Sequence, residues 1–228
     1  VGKAGTLATV KRLLRVLGPI ALLTFAGCAV PSHEPRNLDS LKGEIRDYVK
    51  SGRYERDIAA VTAKADAWLV ERAAQKKPGE RVAVVFDLDE TLLSNWEEIE
   101  SLGLGYSPSV WETWVADGRA PAIEPVRGVY RTARKLGLEI YFITGRREHQ
   151  RGGTEKNLRA IDCIVSSALI MKPDDLKGTT GEFKTAARAR LTAQGVVIIA
   201  NLGDQDSDLV GGYAERTFKL PDPFYWSQ

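Results

Sequence analysis

The chain of 228 residues sets 32 lysines and arginines against 30 aspartates and glutamates, a formal net charge of +2. That near balance excludes the basic stripe of a nucleic-acid-binding protein, so no nucleic-acid partner is expected. Two cysteines exclude a disulfide-stapled scaffold, and the length suits one domain with a decorated core.

At the start of the chain, Lys3, Lys11, Arg12 and Arg15 precede an apolar run, Val16–Gly27, that is too short to span a bilayer comfortably. A basic stretch, a short apolar run and small residues predict a signal peptide over residues 1–27. That segment holds four basic residues and no acidic one, so the remainder carries −2. The ending Ala26-Gly27-Cys28 resembles a bacterial lipobox, with Phe25 where such boxes more often have Leu. It implies an exported protein cleaved before Cys28, with lipid on that thiol as its link to a membrane. Residues 28–37, with Pro31 and Pro35, would be the tether. Ala29 after the cysteine leans towards the outer membrane in a cell with two. An uncleaved anchor and an ordinary signal peptide are the alternatives.

Leu38, Leu41, Ile45 and Val49 recur at helical spacing until Gly52, and Ile58, Val61, Ala65, Trp68 and Leu69 mark a second helix closed by Pro78-Gly79. Their apolar stripes are expected to pack on an α/β core. Val82–Phe86 is an unbroken apolar run, the pattern of a strand buried on both faces of a parallel sheet. Asp87 and Asp89 stand where that run stops. In open α/β sheets ligands bind beyond the carboxyl ends of the strands. Residues i and i+2 share a face while the strand persists, so both carboxylates could enter one small volume. A solvated acidic turn is the competing reading.

Trp96–Ala122 has poor periodicity and four large aromatics, Trp96, Tyr106, Trp111 and Trp114. It reads either as a lid over the site or as a local hydrophobic mini-core, with one or two aromatics facing a ligand. Pro125 opens a helix that Gly137 ends, and Leu138–Ile143 is a second buried strand running into Thr144-Gly145-Arg146. Alone, Thr144 would be a helix cap. Cys163, between Ile161 and Ile164, reads as a small buried apolar residue. A helix over Thr154–Ala160 and a third strand over Ala168–Met171 lead to the polar loop Lys172–Gly181 and a helix over Glu182–Thr192. That helix carries Lys184, to which composition gives no role. Val196–Ala200 is a fourth buried strand, followed by Asn201–Asp208, where several carboxylates on one loop suit a hard cation such as Mg²⁺. Thr217–Leu220 is a fifth strand. The alternation of strands and helices predicts an α/β fold with a parallel sheet flanked by helices.

The strings DLDETLLSN, FITGR, GEFKTAARARL and GDQDSD, in this order at strand ends and in one helix, resemble the motifs of the haloacid dehalogenase-like (HAD) superfamily. The likeness is closest to the bacterial class C and plant acid phosphatases, and runs from about Leu41 to Tyr225. The resemblance implies a HAD-like (Rossmann-like) domain over 38–228 with a small cap inserted at about 94–124. It implies an Mg²⁺-dependent phosphomonoesterase acting on small phosphomonoesters such as nucleoside monophosphates. In that scheme Asp87 is the nucleophile that becomes an aspartyl-phosphate, and Asp89 is the acid and base. Asp87, Asp204 and the Asp89 carbonyl hold the metal while Asp208 orients the metal site. Thr144 and Gly145 hold phosphate, and Lys184 pairs with nucleophile and phosphate, with Lys172 and Lys177 as competing candidates. An acidic pH optimum is expected, so that Asp89 starts protonated. A non-catalytic storage or binding protein on the same scaffold is the alternative, but plant storage relatives are known for losing the nucleophile and Asp87 is present here. Asp222 stands where the relatives carry Asn in their C-terminal LPNP-aromatic segment.

Overall fold

The computed structural model describes residues 35–164 and 167–227. The signal peptide and Cys28 lie outside these residues, as does most of the tether. Among the described residues no helix is long and apolar enough to cross a membrane.

Two helices, α1 (Leu38–Lys50) and α2 (Arg53–Ala74), lead into β1 (Arg81–Phe86). The chain continues through α3 (Trp96–Ser101), α4 (Pro108–Asp117), α5 (Glu124–Lys135), β2 (Glu139–Arg147) and α6 (Arg151–Ala160). It ends with β3 (Ala168–Lys172), α7 (Thr180–Ala193), β4 (Val196–Gly203), α8 (Asp206–Leu209) and β5 (Arg216–Lys219). The five strands form one sheet in the order β3-β2-β1-β4-β5, with every pairing parallel. The strand expected from Val82–Phe86 is therefore the middle one.

Side-chain alternation along β1 divides the core. Val82, Val84 and Phe86 join the cluster built with α2 and α5, whereas Ala83 and Val85 face Ala187 and Leu191 of α7. Asp87 has the parity of Ala83 and Val85, and its N–H still donates to Leu202 O at 3.0 Å as a continuation of the ladder. The pleat thus aims Asp87 at the face that α7 covers.

On the other face α2 buries Tyr54, Ile58, Thr62, Ala65 and Leu69, one stripe at helical spacing. Ile58 and Leu69 are sealed from water, and each contributes about 1.5–3 kcal/mol relative to exposure. Trp68 Nε1 donates to Ile199 O at 2.7 Å, fastening α2 to β4. The first helix differs from expectation: α1 buries no residue fully, Leu38 is exposed, and half-buried Tyr48 and Val49 lean on the core edge. Cys163 is buried as a free thiol whose pKa burial pushes up to about 11.

Between β1 and α5 the chain forms α3 and α4 above the carboxyl edge of the sheet. α4 ends at Gly118, which adopts φ +58°, and its last turn lies against α6 at Gly153.

Candidate active site

Asp87, at the end of β1, meets Lys184 from α7. That helix starts at a capping box in which Thr179 Oγ1 accepts from Glu182 N at 3.2 Å and Glu182 Oε2 accepts from Thr179 N at 2.9 Å. Lys184 lies just beyond it, on the buried face of the helix. Its Nζ donates to Asp87 Oδ1, and to Asp208 Oδ1 at 2.6 Å. Of the lysines considered from sequence, this one reaches the carboxylates. Lys172 instead donates to Gly178 O at 3.0 Å, and Lys177 is exposed.

β4 delivers the remaining acids. Asp204 Oδ1 accepts from Thr91 Oγ1 at 2.8 Å and its Oδ2 accepts from Gln205 Nε2 at 2.8 Å. Asp208 Oδ2 accepts from Gln205 N at 2.8 Å. Asp87, Asp204 and Asp208 are buried, and each offers an oxygen within 4.8 Å of the others. Gly203 makes this turn possible, because a Cβ there would stand 2.3 Å from Asp208 Cβ. Arg188, fully buried, holds the loop by donating to Asp208 O at 2.6 Å, to Gly212 O at 3.0 Å and to Val210 O.

Negative charge outweighs positive here. Burial raises the pKa of Asp87, Lys184 opposes that rise, and Asp208 and Asp89 add to it. Asp204 is held well above the usual carboxylate range by burial and by its neighbours Asp208 and Asp87. Burial, with Asp89 next in importance, pushes Glu90 up to about 8. Burial also works against the charge on Lys184, but Asp208 and Asp87 outweigh it and hold the ammonium above its ordinary range. A compact set of hard oxygen donors whose charge one lysine does not balance fits a divalent cation.

Asp89 sits at the rim of the same volume. Arg146 Nε donates to its Oδ1 and Oδ2 at 3.0 and 3.1 Å, and Nη2 to Oδ1 at 2.7 Å. Thr154 Oγ1 accepts from Arg146 Nη1 at 3.2 Å, and the Trp111 ring lies 5.4 Å from the guanidinium. Asn95 Nδ2 donates to Asp89 Oδ1 and Glu90 Oε2, both at 2.9 Å. Thr144 is buried inside β2, with its Oγ1 accepting from Arg146 N at 3.1 Å, rather than capping a helix.

A cavity of about 460 Å³ opens onto Asp87, Asp89, Gly145, Lys184, Asp204 and Asp208. Of the four aromatics, Tyr106 and Trp111 line it. Trp114 is buried, and Trp96 tilts against Phe224 with ring centroids 5.3 Å apart. Phe224 and Tyr225 of the C-terminal segment line it as well, with Tyr225 Oη donating to Glu90 Oε2 at 3.0 Å. Sequence reasoning gave no role to Asn95, Arg146 or Arg188. All three lie inside the motif strings, Asn95 in DLDETLLSN, Arg146 in FITGR and Arg188 in GEFKTAARARL, which is the signal that could have marked them.

Residues 29–228 match the family described as HAD superfamily, subfamily IIIB (Acid phosphatase). The chain is 32% identical over 211 residues to the stem 28 kDa glycoprotein of Glycine max, covering 88% of this chain and 82% of that one. It is 32% identical over 187 residues to acid phosphatase 1 of Solanum lycopersicum, covering 80% and 72%. The solved class C acid phosphatase of Bacillus anthracis superposes with a TM-score of 0.68 at 22% identity, over 82% of this chain and 86% of that one. That likeness carries the fold.

Proposed function

The chain belongs to subfamily IIIB of the HAD superfamily, the acid phosphatases, and on that premise we propose that it hydrolyses small phosphomonoesters, nucleoside monophosphates among them, through an aspartyl-phosphate on Asp87. The observation that carries this reading is the ammonium of Lys184 shared between Asp87 and Asp208 at the floor of the cavity.

A carboxylate nucleophile must approach a phosphate dianion, so cations and oriented donors have to offset the repulsion. Asp87, Asp204 and the Asp89 carbonyl would hold Mg²⁺, with Asp208 orienting the site, and the cation would supply most of that neutralisation. Lys184 supplies charge from α7, while Thr144 and the Gly145 N–H hold a phosphate oxygen.

Asp87 attacks phosphorus, and the bond to the leaving oxygen breaks. Asp89 gives that oxygen its proton. Asp89 then takes a proton from the water that attacks the phospho-Asp87, which releases phosphate and restores the carboxylate. Arg146 engages both Asp89 oxygens, but Oδ2 accepts only from its Nε, so Oδ2 is the oxygen that keeps capacity to meet the leaving oxygen. A dianionic phosphate entering the cavity competes for that guanidinium.

The N-terminal reading accompanies this one: export under the signal over 1–27, lipid on Cys28, and a membrane-tethered domain over 38–228 whose cap spans about 94–124. Phosphate release by purified residues 29–228 from p-nitrophenyl phosphate and a nucleotide panel, with and without EDTA, is the test. Activity that needs Mg²⁺ and disappears in Asp87→Asn is expected. Silence with every substrate from folded, Mg²⁺-binding protein would overturn the catalytic reading in favour of a binding protein.

A further inference from the structure

Asp89 is gripped from two sides, and both grips trace to one helix. Trp111 of α4 covers Arg146 on one side. Trp114, one turn later, donates from its indole Nε1 to Asn95 Oδ1 at 2.7 Å on the other. Both tryptophans point down from the same face of α4, as residues three apart do.

Asn95 could in principle present its amide either way round, but its neighbours leave one choice. The Trp114 indole is a donor only, so it requires the amide oxygen. Asp89 Oδ1 and Glu90 Oε2 accept from the amide nitrogen at 2.9 Å each, which matches the NH₂ group to them. Turned over, Asn95 would turn its oxygen towards those acceptor oxygens and leave the buried indole N–H facing another donor. Asn95 N adds a bond to Glu90 Oε1 at 2.7 Å, which fixes the backbone from which the amide extends.

We propose that Trp114 is a positioning residue for the reaction: its indole N–H locks the Asn95 amide, and Asn95 holds the Asp89 carboxylate in line with the leaving-group oxygen. The seating of α4 then governs proton donation by Asp89. The inference rests on the reading of Asp89 as the acid given above.

A lost proton donor hurts a reaction in proportion to how badly the departing oxygen needs the proton. p-Nitrophenolate departs without help, whereas benzyl alkoxide does not. The full chain is therefore assayed as wild type, Trp114→Phe and Asp89→Asn, with p-nitrophenyl, phenyl and benzyl phosphate, which share one ring. Trp114→Phe keeps an aromatic ring in the buried site and deletes the N–H. Its kcat/KM is expected to fall about tenfold or more for benzyl phosphate and less than about threefold for p-nitrophenyl phosphate, with phenyl phosphate between. The ratio of two kcat/KM values does not depend on what fraction of the sample is folded, and Asn95→Ala, which removes the link itself, should change that ratio in the same direction. Equal losses on all three substrates, or none, in Trp114→Phe while Asp89→Asn discriminates would overturn the positioning role alone. If Asp89→Asn fails to discriminate, the acid role falls and the positioning role with it.

Discussion

Gly153 has no room for a side chain: a Cβ built there would stand 2.2 Å from the carbonyl oxygen of Val115. The backbones of α6 and α4 touch at this point. α4 carries Trp111 and Trp114, and α6 carries Thr154, the partner of Arg146. Alanine at a helical glycine usually gains about 0.5–1 kcal/mol from propensity. Here Gly153→Ala should instead destabilise by about 1–3 kcal/mol, the usual cost of overpacking. Urea unfolding checks the sign, and a gain in midpoint would mean the two helices part easily.

Lys184→Met should cost far more than an exposed lysine would. Removing one partner of a buried ion pair costs about 3–5 kcal/mol, because the remaining charge is left without compensation. Asp87 and Asp208 both lose their shared cation. The loss should be large in EDTA and smaller with saturating Mg²⁺, as measured by denaturant unfolding in each condition. Equal destabilisation in both would argue that lysine and metal act on different carboxylates.

The metal-free protein should lose stability as pH rises. Glu90 is pushed up to about 8, and Asp87 and Asp204 are raised in the same direction, all chiefly by burial. Their unfolded values are near 4, so from about pH 4 to pH 8 the folded form binds more protons than the unfolded chain. Stability from these groups is fully present below the unfolded values and drains away through the folded ones. The melting temperature in EDTA should fall by at least about 5 °C between pH 5 and pH 8, and Mg²⁺ should reduce that fall. A melting temperature that climbs over this interval in EDTA would contradict the assignment.

Arg188→Lys keeps the charge but removes the planar fork that serves three carbonyls at once. The loop holding Asp208 should loosen, weakening Mg²⁺ affinity about tenfold and stability by about 1–3 kcal/mol. Calorimetric titration of Mg²⁺ into the variant measures the first, and unchanged affinity would show that the loop holds itself.

The parts of this molecule that announced themselves were those where one run of residues does one job. Val82–Phe86 and Val196–Ala200 read as buried strands because every position but the half-buried Val197 is shut away from water in a parallel sheet, and acids after such strands have little choice of location. The cap was harder. Trp96, Tyr106, Trp111 and Trp114 look alike in sequence, and only their three-dimensional neighbours separate the cavity-facing Tyr106 and Trp111 from the buried Trp114. Arg146 stayed silent because its partner, Asp89, lies on another segment, and Asn95 because nothing in the spacing shows that the turn after β1 folds its amide back onto Asp89. A guanidinium at a strand end carries no local sign of which carboxylate it will meet. α1 misled for the opposite reason: its apolar spacing is regular, yet a helix at the margin of a core can keep its period and stay half wet.

β1 lies in the middle of the sheet, bonded on both sides, and Asp87 follows its last residue. Backbone amides of such a strand open only when the whole domain comes apart. Phe224 and Tyr225 belong to an irregular segment after a four-residue edge strand, held by side-chain bonds such as those of Gln205 to Asp222 and to Tyr225 O. The two walls of one cavity therefore have different melting behaviour. Gentle heating should raise KM well before it lowers kcat, so thermal inactivation of this protein begins as a loss of grip on substrate while the chemistry beneath is still intact.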